Sequence, residues 1–280
     1  MTLAARLAAG RLLAPGVWDA LSALLAERAG FEAAFLSGSA VAYSAFGRPD
    51  VGLTTATELI ETCARITDRV GLALFVDADS GFGNAVNLQR LVRGLERAGA
   101  AAIQIEDQIN FKPPGALQSR PLVPAAEMVG KIKAAQDARA SADFLVSART
   151  DAPATEGLDG ALRRAEAYVA AGCDLLFVEG LTTDAEIARV AADFGAEVPL
   201  IHNLLDGGKS PVRSAAALPE AYRVALFPGA LMGAMARAGE AAAAALMADG
   251  ATAAIPLLDT GAVNRLVGTP EFLEDAARYD

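Results

Sequence analysis

The stretch LALFVDADSGFGN (72–84) contains the pattern that decides the fold. Its apolar run ends at Asp77, and small and polar residues follow. The next segment spaces apolar residues from Leu88 to Leu95 at helical intervals, with an N-cap expected at Asn87 and Gly99 positioned to end the helix. The stretch therefore predicts a buried strand, a polar turn and an amphipathic helix.

This strand-and-helix pattern recurs along the whole chain. The predicted strands are RLLAPGV (11–17), FEAAFLS (31–37), LALFVDA (72–78), AAIQIED (101–107), DFLVSAR (143–149), DLLFVEG (174–180), VPLIHN (198–203) and YRVALFP (222–228). Repeated βα units predict parallel strands, and this number of them closes a TIM-type (β/α)8 barrel. No linker divides the chain, so we expect one domain over 1–280, with 257–280 a helical C-terminal extension.

Composition and charge exclude several classes of protein. The chain is 53% hydrophobic and 21% charged, as expected for a packed α/β enzyme. Its net charge is −10 and it has no Lys/Arg cluster, so we expect no nucleic-acid partner. No apolar run could span a bilayer, and Arg6 and Arg11 interrupt any signal sequence, which predicts a cytoplasmic protein without membrane contact. Cys63 and Cys173 lack metal-site spacing and are expected to be packed thiols.

Polar residues cluster where the predicted strands end. In a barrel of this type the active site forms at the carboxyl ends of the strands and in the loops that follow. The residues at these ends are Trp18, Asp19, Ser37, Gly38, Ser39, Asp77, Asp79, Glu106, Asp107, Arg149, Asp151, Glu179 and Asn203. So many carboxylates around one mouth would be costly without a cation.

The glycines of the opening stretch could instead indicate a phosphate-binding turn. A dinucleotide fingerprint requires a third glycine, but Val86 occupies that place after Gly81 and Gly83. Asp77 and Asp79 would also repel a pyrophosphate. The pattern therefore favours a metal over a phosphate.

Three carboxylates are the predicted metal ligands. Asp77 and Asp79 project the same way from the third strand, and Glu106 from the next strand can reach the same volume. Without histidine or cysteine beside them, the expected ion is Mg²⁺ or Mn²⁺. The alternative is that these acids cap helices or pair with arginines.

At this point the sequence resembles the isocitrate lyase and phosphoenolpyruvate mutase superfamily. The resemblance covers nearly the whole chain and rests on motifs in the family's order. These motifs are PGVWDALSALLAERAGFEAAFLSGSAVA, GRPD, VDADSGFGN, AAIQIEDQ, LVPAAEMVGKIKAA, SARTDA, EGLDGALRRAEAYVAAG and NLLDGGKSP.

The resemblance implies a role for individual residues. It implies that Asp77, Asp79 and Glu106 bind Mg²⁺, partly through water. The substrate-binding residues that it implies are Ser37, Gly38, Ser39, Gly81, Asn203 and Arg149. The catalytic residues that it implies are Arg149, Lys112, Asp50 and Glu179.

The loop after the fourth strand departs from the family's pattern. In the lyases this loop carries K-K/R-C-G-H with a catalytic cysteine, whereas here it reads FKPPGALQSRPLV (111–123). Lys112 and Gly115 match, but Pro114 occupies the cysteine place and Ala116 the histidine place. Neither Cys63 nor Cys173 lies on this loop. The departure puts chemistry that needs the cysteine in doubt.

The resemblance implies a lyase or decarboxylase that acts on a small 2-oxo or 2-hydroxy dicarboxylate through a metal-stabilised enolate. Decarboxylation of an oxaloacetate-type acid suits the loop, because carbon dioxide leaves without needing a proton. The alternatives are a C–C lyase of the methylisocitrate or dimethylmalate type without the cysteine, P–C chemistry as in phosphoenolpyruvate mutase or phosphonopyruvate hydrolase, and a non-catalytic paralogue. Family members also exchange a helix between subunits, which implies a homodimer or homotetramer.

Overall fold

The computed structural model describes residues 1–109, 121–205, 208 and 210–279. It divides into two compact units, Met1–Met232 and Gly233–Asp280. The first unit contains eight strands. They are β1 (Leu12–Val17), β2 (Ala33–Leu36), β3 (Ala73–Asp77), β4 (Ala102–Glu106), β5 (Leu145–Thr150), β6 (Leu175–Val178), β7 (Leu200–Asn203) and β8 (Tyr222–Phe227).

All eight strands are parallel and form a closed barrel in chain order. The first and last strands close it, with Leu12 opposite Val224 and Pro15 opposite Phe227. The predicted (β/α)8 fold is therefore confirmed, and each predicted strand lies within about two residues of the observed one.

Helices connect the strands and continue after the barrel. The helices are α1 (Leu3–Ala9), α2 (Ala20–Arg28), α3 (Gly38–Val41), α4 (Ala56–Arg69), α5 (Ala85–Arg97), α6 (Ala125–Ala138), α7 (Pro153–Ala170), α8 (Asp184–Phe194), α9 (Ala230–Asp249), α10 (Thr260–Val267) and α11 (Thr269–Ala276). A π-helix (Ala42–Phe46) follows α3, and a 3₁₀ helix (Ala215–Ala217) precedes β8.

The start of α5 differs from the expectation. The N-cap is Asn84, whose side chain accepts hydrogen bonds from the backbone N–H groups of Val86 and Asn87. Asn87 occupies the third helical position, and its side chain accepts from the Asn84 N–H. The prediction of an Asn87 cap was wrong because both asparagines take part in one capping box. Gly99 follows the helix with a φ of +86°, as expected.

Side chains inside the barrel form an apolar cluster. It includes Phe35, Phe75, Phe177, Ile201 and Leu226, all at most 4% exposed. Strand residues alternate between the interior and the helix layer. The same alternation turns the last inward residue of several strands toward the carboxyl-end mouth, where the polar residues lie.

Arg11 lies at the amino ends of the strands, on the side of the barrel opposite the mouth. Its guanidinium donates hydrogen bonds to the carbonyl oxygens of Tyr222 (2.6 Å), Leu218 (2.8 Å) and Pro219 (2.7 Å), and also to that of Ala215. These bonds join the residue before β1 to the segment that leads into β8. They therefore hold the two strands that close the barrel at their starting ends.

The second unit is helical and consists of the larger part of α9 together with α10 and α11. The sequence-based boundary at 257 falls inside this unit. Neither α10 nor α11 has a buried residue, and Leu258, Phe272 and Leu273 are more than 60% exposed. Across the described ranges, every helix is too short or too polar to cross a membrane.

Candidate active site

The loop after β3 holds an unusual backbone conformation. Asp79 has a φ of +45° and Phe82 a φ of +53°, values that residues other than glycine rarely adopt. At Gly83, where φ is +142°, a Cβ atom would lie 2.5 Å from Asn87 Oδ1. The capping box of α5 thus packs directly against this glycine. Strained backbone conformations of this kind cluster at functional sites, where they hold a side chain in a fixed orientation.

The two aspartates of this loop face the chain segment after β2. A Cβ atom on Gly38 would lie 3.6 Å from Asp77 Oδ2 and 4.0 Å from Asp79 Oδ2. The Asp79 carbonyl accepts a hydrogen bond from the Glu106 N–H at 2.8 Å, which ties the loop to the end of β4. Gly38 therefore lies directly beside both carboxylates.

Glu106 is buried in the same electrostatic environment. Burial raises the pKa of Glu106 well above its ordinary value. The charge of Arg149 opposes this shift, but the negative charges of Asp77 and Asp79 add to it, as does that of Asp151. Asp77 and Asp79 are thus close enough to Glu106 for their charges to raise its pKa.

Arg149 lies between several carboxylates. Its Nε and Nη2 atoms donate to Asp151 at 3.0 and 2.9 Å, and Nε lies 3.4 Å from Glu106 Oε2. Its guanidinium carbon is 5.2 Å from the centroid of the Phe177 ring. Burial alone would lower the pKa of Arg149, but the charges of Asp151, Glu106 and Glu179 raise it well above its ordinary value. Arg149 is therefore a permanent cation within an acidic mouth.

The segment after β2 supplies small polar groups. Ser37 caps α3, and its hydroxyl lies 3.0 Å from that of Ser39. The Ser37 backbone N–H donates to the carbonyl of Val17 on the neighbouring strand. Ser37, Gly38 and Ser39 thus form a short turn beside the aspartates.

The remaining predicted site residues are placed less closely together. Asn203 Nδ2 donates to Glu179 Oε2 at 3.0 Å, so β6 and β7 contribute one joined polar pair. Gly81 is buried in the loop after β3. Asp50 is half-buried in the segment between the π-helix and α4. Lys112, with its neighbours Pro114 and Gly115, lies outside the described residues.

The chemistry of the carboxylates fits a hard divalent cation. Two aspartates face one small space, and a third, buried carboxylate experiences their charge, which a cation would offset. Within the described ranges, no three side chains of His, Cys, Asp or Glu are already arranged as ligands around one point. The fit is therefore one of donor chemistry and charge.

A buried network beside the mouth was missed by sequence reasoning. Asp107 is fully buried and accepts hydrogen bonds from Thr150 Oγ1 (2.7 Å), the Asp151 N–H (3.0 Å), Tyr168 Oη (2.8 Å) and Arg164 Nη1 (3.3 Å). It thereby fixes the end of β5, which carries Arg149, and the adjoining Asp151. The only sequence signal was a second acid directly after Glu106.

Histidine and cysteine take no part in this site. His202 is buried, and its Nε2 atom lies 2.8 Å from Ser210 Oγ. Cys63 and Cys173 are buried free thiols, and burial raises the pKa of each to about 12. The expectation that both cysteines are packed thiols is confirmed.

The chain forms a closed (β/α)8 barrel with charged residues gathered at the carboxyl ends of its strands, an arrangement typical of (β/α)8-barrel enzymes. A family model described as phosphoenolpyruvate phosphomutase matches residues 3–247. The chain therefore belongs to the phosphoenolpyruvate mutase and isocitrate lyase superfamily, as the sequence motifs indicated.

Individual relatives support this membership. The chain is 41% identical over 220 residues to a 2,3-dimethylmalate lyase from Eubacterium barkeri, covering 78% of this chain and 75% of that protein. It is 45% identical over 240 residues to a 2-methylisocitrate lyase from Aeropyrum pernix, covering 85% and 76% respectively. A crystal structure of phosphonopyruvate hydrolase with oxalate and Mg²⁺ superposes with a TM-score of 0.88 and 32% identity, covering 100% of this chain and 99% of that one.

Proposed function

We propose that this protein is a divalent-metal-dependent lyase that decarboxylates a small 2-oxo dicarboxylate of the oxaloacetate type. The observation that carries the proposal is the electrostatic convergence of Asp77, Asp79 and Glu106 at one mouth, beside the buried cation of Arg149. A mouth with this charge pattern suits a cation and an acidic substrate together.

Asp77, Asp79 and Glu106 would hold Mg²⁺ or Mn²⁺. The related phosphonopyruvate hydrolase, which was crystallised with oxalate and Mg²⁺, supports this assignment. When bound, the cation supplies Lewis-acid stabilisation of the negative charge that develops on an enolate oxygen. The Asp79 carbonyl, which accepts a hydrogen bond from the Glu106 N–H, would hold the loop after β3 against β4.

Other residues of the mouth would bind and orient the acid. Arg149 carries the positive charge that attracts a substrate carboxylate, and Asp151 fixes the plane of its guanidinium. The turn at Ser37 to Ser39 would donate hydrogen bonds from its hydroxyl and backbone groups. The bonded pair Asn203 and Glu179 forms the opposite polar wall.

The missing thiol favours decarboxylation. Breaking a larger C–C bond requires a group that handles the proton on the departing carbon, and general acid–base catalysis of this kind contributes roughly 10²- to 10⁴-fold to a rate. Pro114, at the place of the lyases' cysteine, has no proton to transfer. Decarboxylation of a β-keto acid avoids this requirement, because the first product is carbon dioxide and water can protonate the enolate.

A C–C lyase acting on a larger 2-hydroxy acid is the second candidate. It is favoured by the relatives at 41% and 45% identity, which are lyases for 2,3-dimethylmalate and 2-methylisocitrate. Lys112 or a water molecule would then have to move the proton.

Enolisation of pyruvate tests the proposal directly. With Mg²⁺ in deuterated water, the wild-type protein should exchange the methyl protons of pyruvate, observed by NMR, and a chelator should stop the exchange. Asp79→Asn should reduce the exchange at least tenfold, because a metal ligand is lost. Asp143→Asn removes an exposed carboxylate at the other end of the barrel and should have no effect. If the wild type exchanges no protons with Mg²⁺, the protein is a binder and the proposal fails.

A substrate panel then separates the two candidates. Oxaloacetate, methylisocitrate, dimethylmalate, citramalate and phosphonopyruvate would be tested with Mg²⁺ and with chelator. Faster turnover of oxaloacetate supports the decarboxylase. Turnover of methylisocitrate or dimethylmalate that exceeds that of oxaloacetate would instead support the C–C lyase, and preference for phosphonopyruvate would contradict both.

We also propose that the protein acts as a homodimer or homotetramer in which the C-terminal helices pack on a second copy of the chain. Large apolar side chains of the second unit, including Leu257, Leu258, Phe272 and Leu273, are 60–69% exposed in the single chain. Several exposed large apolar side chains within one small helical unit support an interaction surface there.

A further inference from the structure

Two polar side chains inside the barrel lack hydrogen-bond partners. Gln104 is 2% exposed and Ser147 is fully buried. Within the described part of the chain, nothing bonds to Gln104 Nε2, Gln104 Oε1 or Ser147 Oγ. It is unusual for a buried glutamine to have no partner at either carboxamide atom, because roughly nine in ten or more buried polar groups in proteins are hydrogen-bonded.

The strand register places both residues directly beside the carboxylates. Along one row around the barrel, Asp77 is opposite Gln104 and Gln104 is opposite Ser147. One inward position closer to the mouth, Glu106 is opposite Arg149. Ala102 on the same strand lies in the inner apolar cluster, so alternation turns Gln104 inward as well. Gln104 and Ser147 therefore form a polar floor beneath the site.

None of the described residues of the mouth bonds to this floor, and the carboxylates around Arg149 oppose the entry of an acidic substrate. Arg149 already directs Nε and Nη2 at Asp151. Several carboxylates surround it. An anionic ligand that enters the barrel thus gains from neutral donors to which no described residue bonds, and Gln104 Nε2 and Ser147 Oγ are such donors.

We propose that Gln104 and Ser147 bind the inner oxygen atoms of the 2-oxo acid, with Gln104 Nε2 and the Ser147 hydroxyl as donors. This inference rests on the proposed function. It assigns two further substrate-binding residues at the floor of the site. It also explains why polar side chains occupy interior positions whose neighbours, such as Ala102 and Leu175, are apolar.

Oxalate, which mimics an enolate, serves as the probe, with its dissociation constant measured by calorimetry in the presence of Mg²⁺. Gln104→Leu keeps the size of the side chain but removes the donor, and we expect about tenfold weaker oxalate binding, the loss typical of one hydrogen bond to a charged group. Ser147→Ala, which deletes a single atom and preserves the packing, should weaken binding severalfold. The melting temperature of Gln104→Leu without ligand should equal or exceed that of the wild type, since an unbonded amide is lost.

Gln136→Leu is the matched control. The Gln136 carboxamide is bonded, because its Nε2 atom donates to Asp174 Oδ2 at 3.0 Å, next to the start of β6. This substitution should lower the melting temperature and leave oxalate affinity unchanged. If Gln104→Leu binds oxalate with wild-type affinity, the inference fails and the proposed function stands. The same holds if the melting temperature of Gln104→Leu falls as far as that of Gln136→Leu. No oxalate binding by the wild type would overturn the proposed function and this inference with it.

Discussion

The single histidine shows how burial changes the chemistry of one residue. Burial lowers the pKa of His202 to about 4, from an ordinary value of 6.5. Its ring packs edge-on against Tyr222, at 5.5 Å between centroids, and Nε2 contacts Ser210. Strand alternation predicts that His202 faces away from Asn203, and its burial against Tyr222 agrees with that orientation.

His202 makes folding stability depend on pH. Because the folded-state pKa is lower than the unfolded-state pKa, the unfolded chain binds the proton more readily. Above pH 6.5 the imidazole is neutral in both states and this difference has little effect. As the pH falls from 6.5 toward 4, the unfolded chain takes up the proton first and the free energy of unfolding decreases. Between pH 8 and pH 5, we expect a loss of about 2 kcal/mol in the free energy of unfolding from this residue.

Urea denaturation of the wild type and His202→Gln at pH 8, 6 and 5 measures this loss. Carboxylates titrate in both proteins, so the difference between the two curves isolates the only histidine. Parallel pH profiles for the two proteins would show that His202 becomes protonated without penalty.

At the scale of elements, the Asp107 network joins β4, β5 and α7. Arg164 donates to Asp107 and, through Nε and Nη2, to Glu156 at 2.9 and 2.6 Å. Nη1 also donates to the Val123 carbonyl at 2.9 Å, just before α6. Asp107 therefore fixes three neighbouring elements at the side of the mouth that carries Arg149.

Replacing Asp107 by Asn should destabilise the fold strongly. The buried carboxylate accepts four hydrogen bonds, and an amide group in its place would leave buried donors unpaired at a cost of about 1–3 kcal/mol each, while Arg164 would keep Glu156 as its charged partner. Tyr168→Phe removes one bond to the same carboxylate and the bond that Tyr168 Oη accepts from Arg164 Nη1, and it should cost about 1–2 kcal/mol. Urea denaturation at pH 8 measures both. Equal costs for the two variants would contradict this role for Asp107.

The cap of α5 connects helix stability to the metal site. Asn84→Ala should cost about 1 kcal/mol of stability through the lost capping bonds. Because Asn84 ends the loop of Asp77 and Asp79, the variant should also bind Mn²⁺ more weakly, as measured by electron paramagnetic resonance. Thr183→Ala removes the equivalent capping box of α8 and serves as the control. If both variants bind Mn²⁺ with wild-type affinity, the cap does not position the loop.

At the scale of the whole molecule, assembly is the property to test. Phe272→Glu combined with Leu273→Glu should reduce the molar mass measured by light scattering toward that of one chain, because two charges would be buried in the proposed interface. Leu21→Glu alters an exposed leucine on α2 and should leave the molar mass unchanged. A wild-type protein that is monomeric at micromolar concentration would disprove the proposed assembly.

The sequence by itself determined the barrel. Alternating strand and helix periods predict a parallel sheet, because an apolar strand such as LALFV must be buried on both faces. Helices cover the outer face, and eight such units close into a barrel whose interior buries the inner face. It also indicated which residues reach the mouth, because strand ends converge there whatever the details of packing. Asp77, Glu106 and Arg149 were found in this way.

Only the tertiary structure decided what these residues touch. The pairing of Arg149 with Asp151, the Asp107 network and the unbonded floor at Gln104 and Ser147 depend on register between strands that are distant in sequence. Local periodicity carries no information about that register. Burial and charge at each position arise from the whole barrel, and they decide which polar groups are bonded within the fold and which remain available to a ligand.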